Sequence, residues 1–192
     1  MIDLLPDLNA AELDLEELFG RAAPLEVDLG CGDGSFLRAL AAEHPDRNFL
    51  GIERLLHRVR SSHRKAVDLP NVRVIRSETL FVLRHILPAG SVDAFYLLFP
   101  DPWPKRRHHR RRLVNAEFFS AIWNCLRNQG SLFIATDHDD YFAAIGKLLQ
   151  NTPQFAPTDR DWALPPTTFE KRFRMVGLPI HRLELRKISP VT

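Results

Sequence analysis

The sequence predicts an α/β protein in which a parallel sheet is covered by helices. Three observations carry this. Short apolar runs alternate with helix-period segments as far as Leu149. A glycine-rich turn, Gly30-Cys31-Gly32-Asp33-Gly34, joins a strand pattern to a helix pattern. Val92–Phe99 is a nearly continuous apolar run, as expected of a strand buried on both faces.

The elements follow in order. Leu25–Gly30 reads as a strand ending in glycines. Ser35–Glu43 places Phe36, Leu37, Leu40 and Ala41 on one helix face. Phe49–Glu53 is a short strand, Leu55–Val67 a basic helix, Val72–Ile75 a strand and Leu80–Ile86 a short helix. Glu117–Leu126 is a helix stopped near Gly130, with Phe118, Phe119, Ile122 and Leu126 as its core face. Ser131–Thr136 is a strand and Tyr141–Leu149 a helix. Pro153, Pro157, Pro165 and Pro166 then break the chain. Phe169–Met175 and Ile180–Leu185 look like two strands across Gly177-Leu178-Pro179, an antiparallel hairpin at the sheet edge.

A chain of 192 residues, 45% apolar, is one domain with a sizeable core. The reading divides it into an acidic N-terminal extension, residues 1–24, and a single domain, residues 25–192. No apolar run reaches the ~18 residues of a membrane span, and no signal peptide is legible. Cys31 and Cys125, widely spaced in apolar segments, suit buried thiols in a reducing cytoplasm. Net charge is +2, but residues 1–20 carry six acids and no Lys or Arg, leaving +8 on the rest. The acidic leader is read as a solvated flank, or as a shield for basic surface.

The densest charge lies in Phe99–Leu113, F-P-D-P-W-P-K-R-R-H-H-R-R-R-L. Asp101 stands between two prolines beside Trp103, and six of the eight residues Lys105–Arg112 are Lys or Arg. Local acids that would pair with the run are absent until Glu117. Such a segment can grip a polyanion and present part of it to a carboxylate. Adjacent His108 and His109 diverge, with no Cys or acid at metal-ligand spacing, so no metal site is expected.

The glycine turn predicts a ligand site. It departs from the dinucleotide fingerprint G-x-G-x-x-G, because the third glycine comes one residue early. Asp28 precedes it and Asp33 lies inside it. Carboxylates there repel a pyrophosphate and suit the ammonium and sulfonium of S-adenosylmethionine. Glu53 closes the second strand, where an acid accepts from ribose hydroxyls, equally for either cofactor. Glu78 closes the third, where a carboxylate can receive an adenine amino group, or it is a surface acid.

D-L-G-C-G-D-G, G-I-E, F-P-D-P-W-P-K, the basic run, A-T-D, and T-x-F-E followed by R-F-R resemble the bacterial tRNA (guanine-N7)-methyltransferase family over about residues 25–187. The resemblance implies a Rossmann-like class I methyltransferase fold: three layers, α/β/α, with a seven-stranded, mostly parallel sheet and one antiparallel edge strand. It implies S-adenosyl-L-methionine as cofactor and tRNA as partner, with 7-methylguanosine formed at the variable-loop guanine. By motif, Asp28, Gly30, Gly32, Gly34, Glu53, Glu78 and Asp101 would bind the cofactor, and Asp101 would also be catalytic. Lys105, Asp137, Thr167 and Glu170 would bind the guanine, and Arg107, His108, His109, Arg110, Arg111 and Arg112 the RNA. Asp28 stands where many members have Glu, Glu78 where Asp is common, and His138 where Trp is frequent. Trp103 would stack on a base or wall the pocket. Rival readings are a methyltransferase for another RNA or a small acidic molecule, a non-catalytic RNA-binding module and, more distantly, a nicotinamide oxidoreductase. No obligate protein partner is expected, and the oligomeric state is open.

Overall fold

The structure, a computed structural model, describes residues 12–159 and 163–188. Among them, seven strands form one sheet: β1 (Leu25–Leu29), β2 (Asn48–Glu53), β3 (Val72–Arg76), β4 (Val92–Leu98), β5 (Leu126–Thr136), β6 (Phe155–Thr158) and β7 (His181–Lys187). The order across the sheet is β3-β2-β1-β4-β5-β7-β6. Strands β1 to β5 are parallel, and β7 runs antiparallel to both β5 and β6. The chain winds outward from β1 to β3 and returns on the other side of β1 at β4. That reversal opens a crevice above the carboxyl ends of β1 and β4, where open α/β sheets bind ligands.

Helices α1 (Leu15–Phe19), α2 (Ser35–Glu43), α3 (Leu56–Lys65), α4 (Thr79–His85), α5 (Ala116–Cys125), α6 (Asp139–Leu149) and α7 (Thr168–Met175) complete the fold. Alternation along the strands divides the core into two layers. In β4, Phe95 and Leu97 join α4, α5 and α6 on one face, while Ala94 and Tyr96 join Phe36, Leu37 and Leu40 of α2 on the other. Cys31 and Cys125 are both buried free thiols. No helix among the described residues is long and apolar enough to cross a membrane.

Most predicted elements lie within a residue or two of their expected bounds. Four differences have physical causes. Phe169–Met175, expected as a strand, is helix α7. Its apolar residues fit a period of two, but Phe169 and Phe173 are also one helical turn apart, and Thr167-x-x-Glu170 is a capping sequence. The partner of β7 is therefore not that segment but β6, in the proline-broken stretch. Pro157 is tolerated there because β6 is an edge strand. Helix α5 ends at Cys125, and Gly130 lies inside β5. A Cβ at Gly130 would stand 3.0 Å from the Asp93 carbonyl oxygen, so glycine lets β5 approach β4 where their register shifts. Finally, the extension is partly folded. Asp14 caps α1, Phe19 is buried, and Leu13, Leu15 and Leu18 pack on the core. Its residues 1–11, with Asp3 and Asp7, lie outside the described residues.

Candidate active site at the carboxyl edge of the sheet

Strand β1 delivers Asp28 and the glycine turn to the crevice. Gly30, Gly32 and Gly34 all have positive φ, at 81°, 56° and 76°. The turn is tied to β2, because the Gly30 and Cys31 amides both donate to the Ile52 carbonyl, at 2.8 and 3.0 Å. At Gly34 a Cβ would stand 2.1 Å from Ser62 Oγ and 2.7 Å from Ser62 Cα, so only glycine lets α3 close against the turn.

Asp28 is 4% exposed, and no hydrogen bond from a described residue reaches its carboxylate. Burial, with the charge of Glu53 on the neighbouring strand adding to it, pushes its pKa up to about 8. Glu53 is also buried; its Oε1 accepts from the Leu55 amide at 2.8 Å, and Oε2 is 3.8 Å from the Arg58 guanidinium. A buried, unpartnered acid beside a second acid is stabilised by a cation. Asp33 makes no such demand. Burial raises its pKa, but hydrogen bonds from Lys65 Nζ, at 2.5 Å, and from Ser35 outweigh burial and hold the carboxyl below its ordinary range. The case for a cationic ligand thus rests on Asp28 and not on both acids of the turn. Glu78 precedes α4 at the same edge, but its side chain is 71% exposed and 3.8 Å from Arg54.

Strand β4 delivers the Asp101 turn. The Phe99 amide donates to the Ala135 carbonyl at 2.8 Å. Phe99 and Trp103 flank the turn with φ of 56° and 43°, left-handed values that bulky residues rarely adopt. Asp101 itself is exposed. The basic run continues as a 3-10 helix, Arg106–Arg111. Lys105, Arg106, Arg107, Arg110 and Arg111 are exposed, and His108 and His109 are half-buried. The Trp103 ring is engaged within the protein: Arg111 lies 4.9 Å over it and His108 stacks at 5.8 Å. It walls the turn.

Arg112 is the exception in the run, being buried. Its Nε donates to the Pro102 carbonyl at 2.8 Å, Nη2 pairs with Asp140 at 2.6 Å, and its guanidinium lies 4.7 Å from the Tyr141 ring centre. These contacts occupy the guanidinium inside the protein, unlike the exposed arginines of the run with which it was expected to lie along the RNA. Sequence reasoning missed Asp140 and Tyr141, 28 and 29 positions away in α6, since no local pattern marks so distant a pairing.

Asp137 follows β5 at the same edge and is half-buried. It is followed by His138, whose Nδ1 accepts from the Tyr141 amide at 3.4 Å and caps α6. Thr167 and Glu170 are also near Asp101, through the contacts of Phe169 and Phe173 with Phe99. Both side chains also make contacts within the protein. Thr167 Oγ1 accepts from the Glu170 amide at 2.9 Å, and Glu170 pairs with Arg174 and, at 2.5 Å, with Arg182. These contacts cap α7 and tie it to β7, while Phe169 and Phe173 seat it against Phe99.

The site can thus hold a cationic ligand at Asp28 and Glu53, and an anionic polymer along the exposed arginines, with Asp101 following β4, the strand beside β1. Comparison with known proteins gives the family. A family profile described as "Putative methyltransferase" matches residues 22–183. The tRNA (guanine-N(7)-)-methyltransferase of Leifsonia xyli subsp. xyli is 41% identical over 95% of this chain and 84% of its own length. That of Nitrosomonas eutropha is 36% identical over 92% and 82%. Among solved structures, the aminoglycoside resistance methyltransferase NpmB1 aligns with a TM-score of 0.63 at 21% identity, over 91% of this chain and 92% of its own. The 16S rRNA (adenine(1408)-N(1))-methyltransferase of Catenulisporales acidiphilia aligns at 0.61 and 17%, over 95% of each chain. At those identities the two structures speak for the fold alone. With a family profile matching residues 22–183 and relatives 36% and 41% identical over more than nine-tenths of the chain, the chain belongs to the tRNA (guanine-N(7)-)-methyltransferase family.

Proposed function

We propose that this protein transfers a methyl group from S-adenosyl-L-methionine to N7 of a guanine in tRNA, at the variable loop. The observation that carries the chemistry is the buried Asp28, with no hydrogen bond from a described residue, beside Glu53, at the same sheet edge as Asp101 and its arginines. Asp28 would take the cofactor's ammonium, Glu53 Oε2 its ribose hydroxyls, and the backbone of Gly30 to Gly34 would allow close approach. When bound, the cofactor supplies a methyl group already activated on a cationic sulfur.

Guanine N7 has a free lone pair at neutral pH, so no strong general base is required. As the N7–methyl bond forms and the methyl–sulfur bond breaks, the base becomes cationic. The barrier is one of alignment and of that new charge. Asp101 and Asp137 would accept from the ring and exocyclic N–H groups of the base and offset the charge. Pro100 and Pro102 fix φ on both sides of Asp101 and lower the freedom it must lose. Lys105 to Arg111 would hold phosphates, which position the RNA without reading its sequence.

The test is an assay with labelled S-adenosylmethionine and an unmodified tRNA transcript, followed by nucleoside analysis. A 7-methylguanosine peak is expected from the wild type. Asp101→Asn should lower turnover by 10²-fold or more, an order-of-magnitude figure for lost charge stabilisation, while leaving the unfolding midpoint unchanged. Wild-type turnover in that variant would remove Asp101 from the chemistry. Methylation at another atom or on another RNA would overturn the substrate assignment.

A further inference from the structure

The side chain of Arg112 is 6% exposed, whereas Arg106, Arg107, Arg110 and Arg111 reach solvent. Its contacts join two separate segments. Pro102, whose carbonyl accepts from Nε at 2.8 Å, immediately follows Asp101. Asp140, which pairs with Nη2 at 2.6 Å, stands in the first turn of α6, three residues after Asp137. Tyr141, under the guanidinium, accepts from the Val114 amide at 3.1 Å and so anchors the chain just beyond Arg112. His109 Nε2 lies 3.6 Å from the same Asp140 oxygen. One guanidinium therefore ties the turn after β4 to the start of the helix after β5.

We propose that Arg112 is a positioning residue that sets the separation of Asp101 and Asp137, and that it does not contact RNA. This rests on the reading of those two carboxylates as the groups that hold the guanine. A planar guanidinium suits the task because it donates in two fixed directions while stacking on a ring; a lysine ammonium does neither. Burial makes the arrangement hard to leave, since separating the guanidinium from Asp140 strands a buried charge. Misplacement of a reacting base by about 1 Å can cost ~100-fold in rate, so a clamp on both carboxylates governs turnover without touching substrate.

The two roles predict opposite results. Single-turnover rate, cofactor affinity and the salt dependence of tRNA binding are measured for wild type, Arg112→Lys, Arg112→Gln, Asp140→Asn and Arg110→Ala. As a positioning residue, Arg112→Gln leaves the slope of log K against log salt unchanged, while Arg110→Ala flattens it by roughly 0.7–0.9. Arg112→Lys keeps the charge yet loses 10- to 100-fold in rate, with cofactor affinity intact. The Asp140 side chain is 61% exposed, so Asp140→Asn folds even if the Arg112 variants do not; it lowers the rate by a smaller factor with the slope unchanged. A flattened slope in Arg112→Gln, full rescue by Arg112→Lys, or a wild-type rate in Asp140→Asn each overturns the proposal. A wild-type enzyme that forms no 7-methylguanosine would instead overturn the reading beneath it.

Discussion

Asp28 is the residue whose environment says most. Its folded pKa, pushed up to about 8 first by burial and then by Glu53, lies above the ordinary carboxylate value near 4. The ligand-free fold therefore holds a proton that the unfolded chain releases. That contribution to stability is complete below about pH 4 and is lost as pH rises through about 8. Thermal unfolding of the free protein should show a midpoint falling between about pH 4 and 8, with a shallower fall in Asp28→Asn. A bound cation would hold Asp28 ionised, so cofactor binding near pH 7 should release a proton. Calorimetry in buffers of different ionisation enthalpy measures it. Zero release would mean that the cation sits elsewhere. Glu78, at 71% exposure beside Arg54, lacks the burial that gives Asp28 its demand.

At the scale of elements, α7 carries the main lesson. The expected strand became a helix because Thr167 supplies a cap and Glu170 two ion pairs, one of them to Arg182 in β7. Those residues hold the helix on the Phe99 turn. Thr167→Ala should cost about 1 kcal/mol in urea unfolding, the usual worth of a lost N-cap oxygen, and Thr167→Ser much less. If Thr167→Ser were as inactive as Thr167→Ala at equal stability, the cap would not be the role that matters. The flanking strand β6 could not be read from the sequence, since its four residues contain a proline and its pairing with β7 spans a proline-broken loop.

At the scale of the whole molecule, the sheet gathers opposite charges at one edge. The parallel sheet directs the carboxyl ends of β1, β2, β4 and β5 to one edge, where the buried acids meet the exposed arginines. Salt should then act on the two ligands differently. Arg110→Ala combined with Arg111→Ala should flatten the salt slope of tRNA binding by roughly 0.7–0.9 per lost contact and leave cofactor affinity alone. An unchanged slope would take the run off the RNA. The sequence by itself determined the alternation of strands and helices, the glycine turn, the Asp101 turn and the charge of the run, because each is set by neighbours within a few residues. Only the tertiary structure decided which of those charges are free. Asp33 and Lys65 lie 32 positions apart, and Arg112 and Asp140 lie 28 apart. Burial and ion pairing are properties of chain segments brought together by the fold, and they separate the acid that needs a cation from the acid that already has one.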